Sequence, residues 1–358
     1  MLTFLIFLAV LSLLVFVHEF GHFMAARRLG VEVEEFGFGF PPRLWGIKRG
    51  ATIFSVNLIP LGGFVKLKGE QGENADQKDS FASQSIARRA LIVAAGVLMN
   101  FLLAAMLFSI GFVGGLPQEV SELAAGARVE ERRLVIGAVA EESPAAKAEF
   151  EAGDMILSVD GQTFDAEEVL RDYFQSHEGL ALAIEVQRGD QKIVKAVTPE
   201  VLPQTGQPGL GVYLVLVGRV SYPWYLAPWR GLETTADLTV SIVRVFGGVL
   251  RDLVTRGQIG EDVSGPVGIA VLTGRAAALG FSYLLQLVAV LSINLAVINF
   301  LPIPALDGGR FIFLMIERAR GKPVSRQAEN IIHQVGFVLL LALVILITFR
   351  DFFRVFKS

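Results

Sequence analysis

Long uncharged stretches constrain the fold of this chain more than any other feature of its sequence. They cover residues 1–17, 90–118, 276–306 and 333–349. A bilayer core about 30 Å thick requires roughly 20 apolar residues of helix, so we expect about four transmembrane helices. Pro302 and Pro304 lie in the third stretch and predict that it ends in a broken or re-entrant segment.

Composition agrees with a polytopic membrane protein and excludes several classes of soluble protein. Of the 358 residues, 53% are hydrophobic and 19% are charged, whereas a soluble domain usually has ~25% charged residues. A net charge of −3 gives no basic face for nucleic acid, and we expect neither nucleic acid nor nucleotide as a partner. The absence of cysteine excludes thiolate metal sites and cysteine nucleophiles. The first stretch lacks a basic leader, so we expect a helix rather than a cleaved signal.

Loop charges predict the topology and four regions. Lysine and arginine are concentrated in the loop between the first two apolar stretches and in the loop between the last two. Both loops are therefore expected in the cytoplasm, with the long middle region outside a bacterial plasma (inner) membrane. The regions are an N-terminal membrane core (1–116), an extracytoplasmic domain (117–218), an amphipathic helix with a linker (219–275) and a C-terminal membrane core (276–358).

The middle region has the pattern of an inserted α+β domain. Strand-like runs cover residues 134–139, 155–159, 181–187 and 192–197, and helices are expected after Ser143-Pro144 and over 166–175. The stretch from Ser143 to Gly161 resembles a PDZ domain of the bacterial protease type. PDZ domains bind extended peptides by adding a strand to a sheet edge. After this domain, apolar residues at helical spacing over 229–255 predict a helix that lies on the membrane or packs on protein.

A glycine-containing stretch ends the predicted PDZ domain. Its residues are Gly209, Leu210, Gly211 and Val212. It resembles the carboxylate-binding loop of PDZ domains, in which exposed backbone amides hold the end of a peptide. The alternative interpretation is a strand preceded by a glycine turn.

The first apolar stretch is followed directly by a sequence with two histidines and a glutamate, His18-Glu19-Phe20-Gly21-His22. Residues i and i+4 of a helix share a face, so His18 and His22 can bind one metal ion. Two imidazoles and a carboxylate form a typical catalytic zinc site with an open position for water, and Glu19 lies where it can take a proton from that water. Since two histidines in an apolar segment are costly without a partner, we favour a zinc site over structural histidines.

The third zinc ligand is expected at Asp307, which ends the third apolar stretch. Metzincins continue this motif with a glycine three residues and a histidine six residues after the second histidine. Here those positions are occupied by Ala25 and Arg28, so that extension is absent. A lone carboxylate after a long apolar run is costly unless it binds a cation, and nearby prolines and glycines let the backbone bend around it. The alternative is that Asp307 caps a helix that starts at Gly308.

Together the two motifs resemble those of the site-2 protease family of intramembrane zinc metalloproteases. The second motif is Asn299-Phe300-Leu301-Pro302-Ile303-Pro304-Ala305-Leu306-Asp307-Gly308-Gly309. With the PDZ-like region between them, the chain is similar to the branch of this family formed by the bacterial regulator-of-sigma-E proteases, here with a single PDZ domain. The resemblance implies one Zn²⁺, held by His18, His22 and Asp307, with Glu19 as general base. It also implies that Asn294 and Asn299 hold the substrate backbone or stabilise an oxyanion; without the resemblance, each is interpreted as a helix-packing amide.

The resemblance also implies a substrate class. It predicts cleavage of single-span membrane proteins within the lipid bilayer, such as anti-sigma factors or signal-peptide remnants. Residues 53–67 predict two strands around a glycine turn, with Gly62, Gly63 and Phe64 near the substrate. In the family the equivalent stretch forms a membrane-associated β-hairpin whose edge is suited to an unwound substrate; the alternative is an ordinary cytosolic hairpin. Many relatives of this branch have two PDZ domains, whereas this chain has room for one.

Two other functions compete with proteolysis. An intramembrane His and Asp set also suits a transporter of divalent cations, although the sequence shows none of the inverted repeats common in transporters. A membrane scaffold built around the PDZ domain is the second alternative, and it would not require Glu19 between the two histidines.

Overall fold

The computed structural model describes residues 2–70, 72–120, 125–189, 191–203, 205–256 and 265–357. Two compact units make up the chain. The membrane unit combines Met1–Ile110 with Pro228–Ser358, and the inserted unit comprises Gly111–Ala227.

Helices of the described residues are numbered along the chain. They are α1 (Leu2–Arg28), α2 (Ile86–Gly114), α3 (Pro144–Lys147), α4 (Glu167–Ser176), α5 (Ala227–Arg256), α6 (Pro266–Leu279), α7 (Phe281–Phe300), α8 (Asp307–Arg320) and α9 (Arg326–Lys357). The strands are β1 (Val33–Arg49), β2 (Thr52–Leu67), β3 (Leu116–Glu119), β4 (Arg128–Val139), β5 (Met155–Val159), β6 (Leu182–Arg188), β7 (Gln191–Val197), β8 (Glu200–Val201), β9 (Pro208–Gly209) and β10 (Val212–Ser221).

Four of these helices are long and apolar enough to cross a membrane: α1, α2, α7 and the Arg326–Phe353 part of α9. They confirm the four predicted membrane segments. The third predicted segment starts too early, because Gly280, at a φ of 120°, separates α6 from α7. After α7 the chain is non-helical until α8 begins at Asp307, as the two prolines predict.

Buried apolar side chains hold the membrane unit together. Val10 and Leu14 of α1 pack with Leu103 of α2 and Val288 of α7. Nearer the end of α1, a second cluster joins that helix to α2 and to the sheet, and its buried members are Phe23, Ala26, Val31, Val33, Phe36, Leu67 and Ile92. The histidines of α1 lie between these two clusters along the helix.

The sheet formed by β1 and β2 corrects the predicted hairpin. Residues 53–56 and 63–66 are strand segments, as predicted, but both pair with residues 35–38 of β1, one on each side. Residues 53–56 also pair with residues 45–48. The prediction of two strands paired around Gly62-Gly63 is therefore wrong, because the glycines turn the chain around an intervening strand of β1. Local sequence marks a turn but does not show which strand lies across it.

The inserted unit contains a six-stranded sheet with the order β3-β10-β4-β5-β6-β7. Its strands include the four predicted ones, and α3 and α4 occupy the predicted helical positions. The hydroxyl of Ser143 accepts a hydrogen bond from the Ala146 backbone N–H at 3.2 Å, which caps α3 as expected. The core of this unit includes Leu134, Leu170 and Ile184.

Helix α5 covers the residues for which an amphipathic helix is predicted, and Gly231 within it packs against Ser109 of α2. The predicted linker that follows includes residues 257–264, which lie outside the described residues.

Candidate metal centre

Helix α1 presents His18 and His22 on one buried face. They lie one helical turn apart, their Nε2 atoms are 3.2 Å from each other, and the residues are only 5% and 8% exposed. The Nδ1–H of His22 donates to the backbone carbonyl of Ile92 in α2 at 2.8 Å. This bond leaves the Nε2 lone pair of His22 free to bind a cation.

Asp307, the first residue of α8, completes the cluster. Its Oδ2 lies 2.9 Å from Nε2 of His18 and 3.2 Å from Nε2 of His22. The preceding loop is held by His333 of α9, whose Nδ1 accepts a hydrogen bond from the Ala305 backbone N–H at 2.8 Å. Ala305 adopts a φ of 77°, a strained conformation for a residue with a side chain. The structure therefore brings together residues 289 positions apart, as the motifs predict.

The three side chains fit a zinc ion. Each offers one ligand atom, and these atoms lie within 4.8 Å of one another. A tetrahedral zinc ion with bonds of about 2.0–2.1 Å holds its ligand atoms about 3.3 Å apart, close to the separations seen here. Two imidazoles and one carboxylate are also a typical donor set for catalytic zinc.

Glu19 lies beside the three donors in a small cavity. The cavity has a volume of about 190 Å³, and Glu19, His22, Asp307 and Arg310 are among the residues that line it. The Oε2 of Glu19 accepts a hydrogen bond from the Val65 backbone N–H at 3.1 Å. A carboxylate that lines the same cavity as His22 and Asp307 is suited to act on a water molecule held there.

A larger cavity of about 550 Å³ lies next to the first. Glu70, Phe81, Val93 and Arg310 line both cavities, and the side chains of Arg310 and Glu70 form an ion pair at their junction. Because its lining includes further charged groups, this cavity is suited to hold water. The ion pair joins residues far apart in the chain, and no local motif indicates it.

The two predicted asparagines occupy different positions on α7. The Nδ2 of Asn299 lies 3.4 Å from Nε2 of His18, so this amide reaches the cluster. Asn294 is half-buried five residues earlier, a separation that turns its side chain about 140° around the helix axis. The structure thus places Asn299 against Nε2 of His18, whereas Asn294 faces a different side of α7.

The predicted substrate-binding residues Gly62, Gly63 and Phe64 lie in β2, and Gly63 comes near Glu19. Gly62 adopts a φ of 82° where β2 turns, and a Cβ built on Gly63 would lie 4.0 Å from Cγ of Glu19. Phe64 follows in the same strand segment and pairs with Gly37. Gly63 therefore approaches Glu19, whereas the contacts given for Gly62 and Phe64 are with Val15 and Gly37.

The predicted PDZ loop lies in the inserted unit. Gly209 belongs to β9, Leu210 is buried in the core, Gly211 has a φ of 75°, and Val212 begins β10. The carbonyls of Leu210 and Gly211 accept hydrogen bonds from the backbone of Ala145 and Ala140.

Sequence reasoning missed the contribution of α2 to the metal centre. A Cβ built on Gly96 would lie 2.3 Å from Nε2 of His22, so only glycine lets α2 come this close. One turn later, the fully buried Asn100 lies against the other edge of His18. The signal that could have found Asn100 is a lone amide in the long uncharged part of α2, where polar groups are costly without a partner.

The fold and the site define a class: a multi-pass membrane protein with a buried His₂Asp cluster and an adjacent glutamate. The family model described as Peptidase family M50 matches residues 6–343, and the chain belongs to this family, the site-2 proteases.

Similar proteins agree with this assignment. Zinc metalloprotease RasP of Geobacillus kaustophilus is 30% identical over 98% of this chain and 97% of its own length. The RasP of Oceanobacillus iheyensis is 30% identical over 99% of this chain and 100% of its own length. A relative from Clostridium perfringens, also named as a zinc metalloprotease, is 35% identical over 95% of both chains. The chain is therefore an intramembrane zinc metalloprotease, with Zn²⁺ as its cofactor.

A solved structure matches part of the chain. It is a crystal structure of the PDZ domain of an SdrC-like protein from Listeria monocytogenes, 27% identical, covering 24% of this chain and 92% of its own length with a TM-score of 0.23.

Proposed function

We propose that this metal centre hydrolyses peptide bonds within the transmembrane segments of single-span membrane proteins. The observation that carries the proposal is the convergence of His18, His22 and Asp307 beside Glu19 in a unit with four membrane-length helices. Anti-sigma factors and signal-peptide remnants are the substrates expected from the resemblance. Because both histidine donors are buried in a helix of membrane-spanning length, we expect the substrate segment to reach them within the bilayer.

Each residue of the centre has a proposed role. His18, His22 and Asp307 hold the zinc ion, which supplies Lewis-acid activation of water and of the scissile carbonyl. Glu19 takes the proton of the attacking water on a carboxylate oxygen and passes it to the leaving amide nitrogen. The Asn299 amide, which reaches the cluster from α7, orients the substrate carbonyl. For Asn294 we propose a contact with the substrate backbone further from the ion.

The strand segment at residues 63–67 is proposed to hold the substrate in an extended form. Its inner edge pairs with β1, whereas the outward N–H groups of Val65 and Leu67 donate to the carboxylates of Glu19 and Glu70. A substrate strand can pair with this edge beside the catalytic glutamate. Pairing of this kind would offset the loss of helical hydrogen bonds that a transmembrane substrate must undergo before cleavage.

The inserted unit is proposed to be an extracytoplasmic PDZ domain. Its six-stranded sheet and the helix α4 provide a strand edge and a helix of the kind that PDZ domains use for peptides. It would bind the extracytoplasmic end of a substrate through residues 209–212, or limit the access of substrates to the metal centre by its size. Water would reach the zinc from the cytoplasmic side, through the cavities beside His22.

Zinc content and cleavage measured on the same protein samples test the proposal. The full chain and the variants His18→Ala, His22→Ala, Asp307→Asn and Glu19→Gln are purified in detergent and assayed with a tagged single-span substrate. We expect wild type to hold one zinc ion and cleave, the ligand variants to lose zinc and activity, and Glu19→Gln to lose only activity. Full zinc content in all ligand variants would contradict the proposed site.

A further inference from the structure

Asn100 lies beside the proposed metal centre and carries an unpaired polar atom. The residue is 0% exposed, in the middle of α2. Its Nδ2 lies 3.4 Å from Nδ1 of His18, while its Oδ1 is buried and has no hydrogen-bond partner among the described residues. A buried amide oxygen without a donor destabilises the folded protein, so the position of Asn100 requires a physical reason.

The chemistry of His18 supplies that reason. Its Nε2 faces Asp307 and His22, so this nitrogen must carry the lone pair if His18 binds the ion. A neutral imidazole then has its proton on Nδ1, which becomes a donor and requires an acceptor. The amide nitrogen of Asn100 cannot accept, but a half-turn of the amide brings Oδ1 opposite Nδ1. This single rotation gives Oδ1 of Asn100 a hydrogen-bond donor and gives the Nδ1–H of His18 an acceptor.

Three residues of helix α2 are spaced so that they contact both histidines. Ile92, Gly96 and Asn100 follow each other at intervals of four residues and share one face of the helix. The Ile92 carbonyl accepts the Nδ1–H of His22, Gly96 leaves room for both imidazoles, and Asn100 faces Nδ1 of His18. The two histidines thus meet equivalent acceptors, one from the backbone and one from a side chain.

We propose that Asn100 is a positioning residue for the metal centre, through a hydrogen bond from His18 Nδ1–H to Asn100 Oδ1. The bond fixes the imidazole tautomer and ring orientation that place Nε2 towards the ion. The inference deepens the proposed function and rests on His18 as a zinc ligand. Loss of such a partner typically weakens metal binding about 10–100-fold.

Zinc affinity of the purified full chain tests this role independently of proteolysis. Zinc binding is measured by competition with a chromophoric chelator, and the ligand geometry by the visible absorption of the Co²⁺-substituted protein. Asn100→Leu removes the acceptor at similar volume, and we expect zinc affinity to fall about 10–100-fold with an altered Co²⁺ spectrum. Asn100→Asp keeps the acceptor, and we expect affinity within threefold of wild type or tighter.

Two reference variants separate the possible failures. Ser109→Ala removes another hydrogen bond of α2, between its hydroxyl and the Ala105 carbonyl, and should leave zinc affinity unchanged. His18→Ala should abolish tight binding; if it does not, the proposed metal site itself is wrong. If His18→Ala loses zinc but Asn100→Leu stays within threefold of wild type, the positioning role is overturned. Equal losses of zinc affinity in Asn100→Leu and Asn100→Asp would also overturn the positioning role. If Asn100→Leu does not fold, Asn100→Ala takes its place in the comparison.

Discussion

At the scale of single residues, the metal centre depends on how closely two helices approach. Gly96 of α2 lies against both imidazoles, and a Cβ there would come within 2.8 Å of Nε2 of His18 as well as contacting His22. The buried histidines cannot move away without losing their contacts to Asp307 and Ile92. A glycine at this position is therefore a condition for the site.

Gly96→Ala should weaken zinc binding by at least tenfold, because the added methyl displaces the ligand atoms that Asp307 must match. Chelator competition on the purified protein measures the effect. Gly114→Ala is a suitable control in the same helix, since a Cβ at Gly114 meets nothing within 4 Å. Equal zinc affinity in both variants would show that α2 does not pack against the histidines as described.

A second residue-scale feature lies in the inserted unit. The carboxylate of Asp154 is fully buried and accepts two hydrogen bonds from Arg188, both at 2.7 Å. Burial opposes ionisation of Asp154, but the bonds from Arg188 and from the Glu151 backbone N–H outweigh it and hold the pKa of Asp154 below its ordinary value. This ion pair stabilises the unit in its charged form.

Asp154→Asn should destabilise the inserted unit by about 1–3 kcal/mol at pH 7. Because the folded-state pKa is lowered, the advantage of wild type is complete above the unfolded pKa of about 4 and declines as pH falls further. Pulse proteolysis of the full chain in urea, at several pH values, measures the difference between the two proteins. A difference that is unchanged at the lowest pH, or absent at pH 7, would contradict this account.

At the scale of elements, the features that sequence predicts are those with a local signal. The spacing of His18 and His22 follows from helix geometry, and the energetic cost of a lone carboxylate singles out Asp307 from the sequence alone. The strand partners of residues 53–67 and the approach of Asn100 to His18 depend on contacts between distant segments. A single sequence does not contain those pairings, since its local pattern fits more than one register.

The start of α6 illustrates another long-range contact between elements. Asp351, near the end of α9, is buried and accepts hydrogen bonds from the backbone N–H groups of Gly265 and Gly268, both at 2.8 Å. A carboxylate here satisfies two otherwise free donors and complements the positive end of the helix dipole. It thereby anchors α6, which also contacts α1 through Gly274 and Thr3.

Asp351→Ala should lower the stability of the solubilised protein by about 1–2 kcal/mol, the usual cost of losing a helix cap, without changing zinc affinity. Thermal unfolding in detergent measures the stability. Asp237→Ala, at an exposed position in α5, serves as the control and should have little effect. If both variants unfold at the same temperature as wild type, Asp351 does not cap α6.

At the scale of the whole molecule, the proposed function requires the inserted unit and the loop before α2 to lie on opposite sides of the membrane. Basic residues in the loops favour that arrangement. The chain has no cysteine, so a single introduced thiol reports its own location without interference.

The Glu168→Cys variant places a thiol at an exposed position in the inserted unit, and Asp76→Cys places one in the loop between β2 and α2. A membrane-impermeant maleimide should label the first variant in spheroplasts and the second only after permeabilisation. The reverse labelling pattern would show that the topology is the opposite of the one proposed. The inserted unit could then not contact the extracytoplasmic end of a substrate.

The position of the cleaved bond within a substrate distinguishes intramembrane proteolysis from cleavage outside the bilayer. Wild type and Glu19→Gln are reconstituted in liposomes with a single-span substrate, and the products are identified by mass spectrometry. We predict that wild type cuts a peptide bond inside the transmembrane segment, whereas Glu19→Gln retains zinc and loses at least ~10²-fold in rate. Cleavage by Glu19→Gln at the wild-type rate, or cuts that fall only outside the membrane segment, would contradict the account.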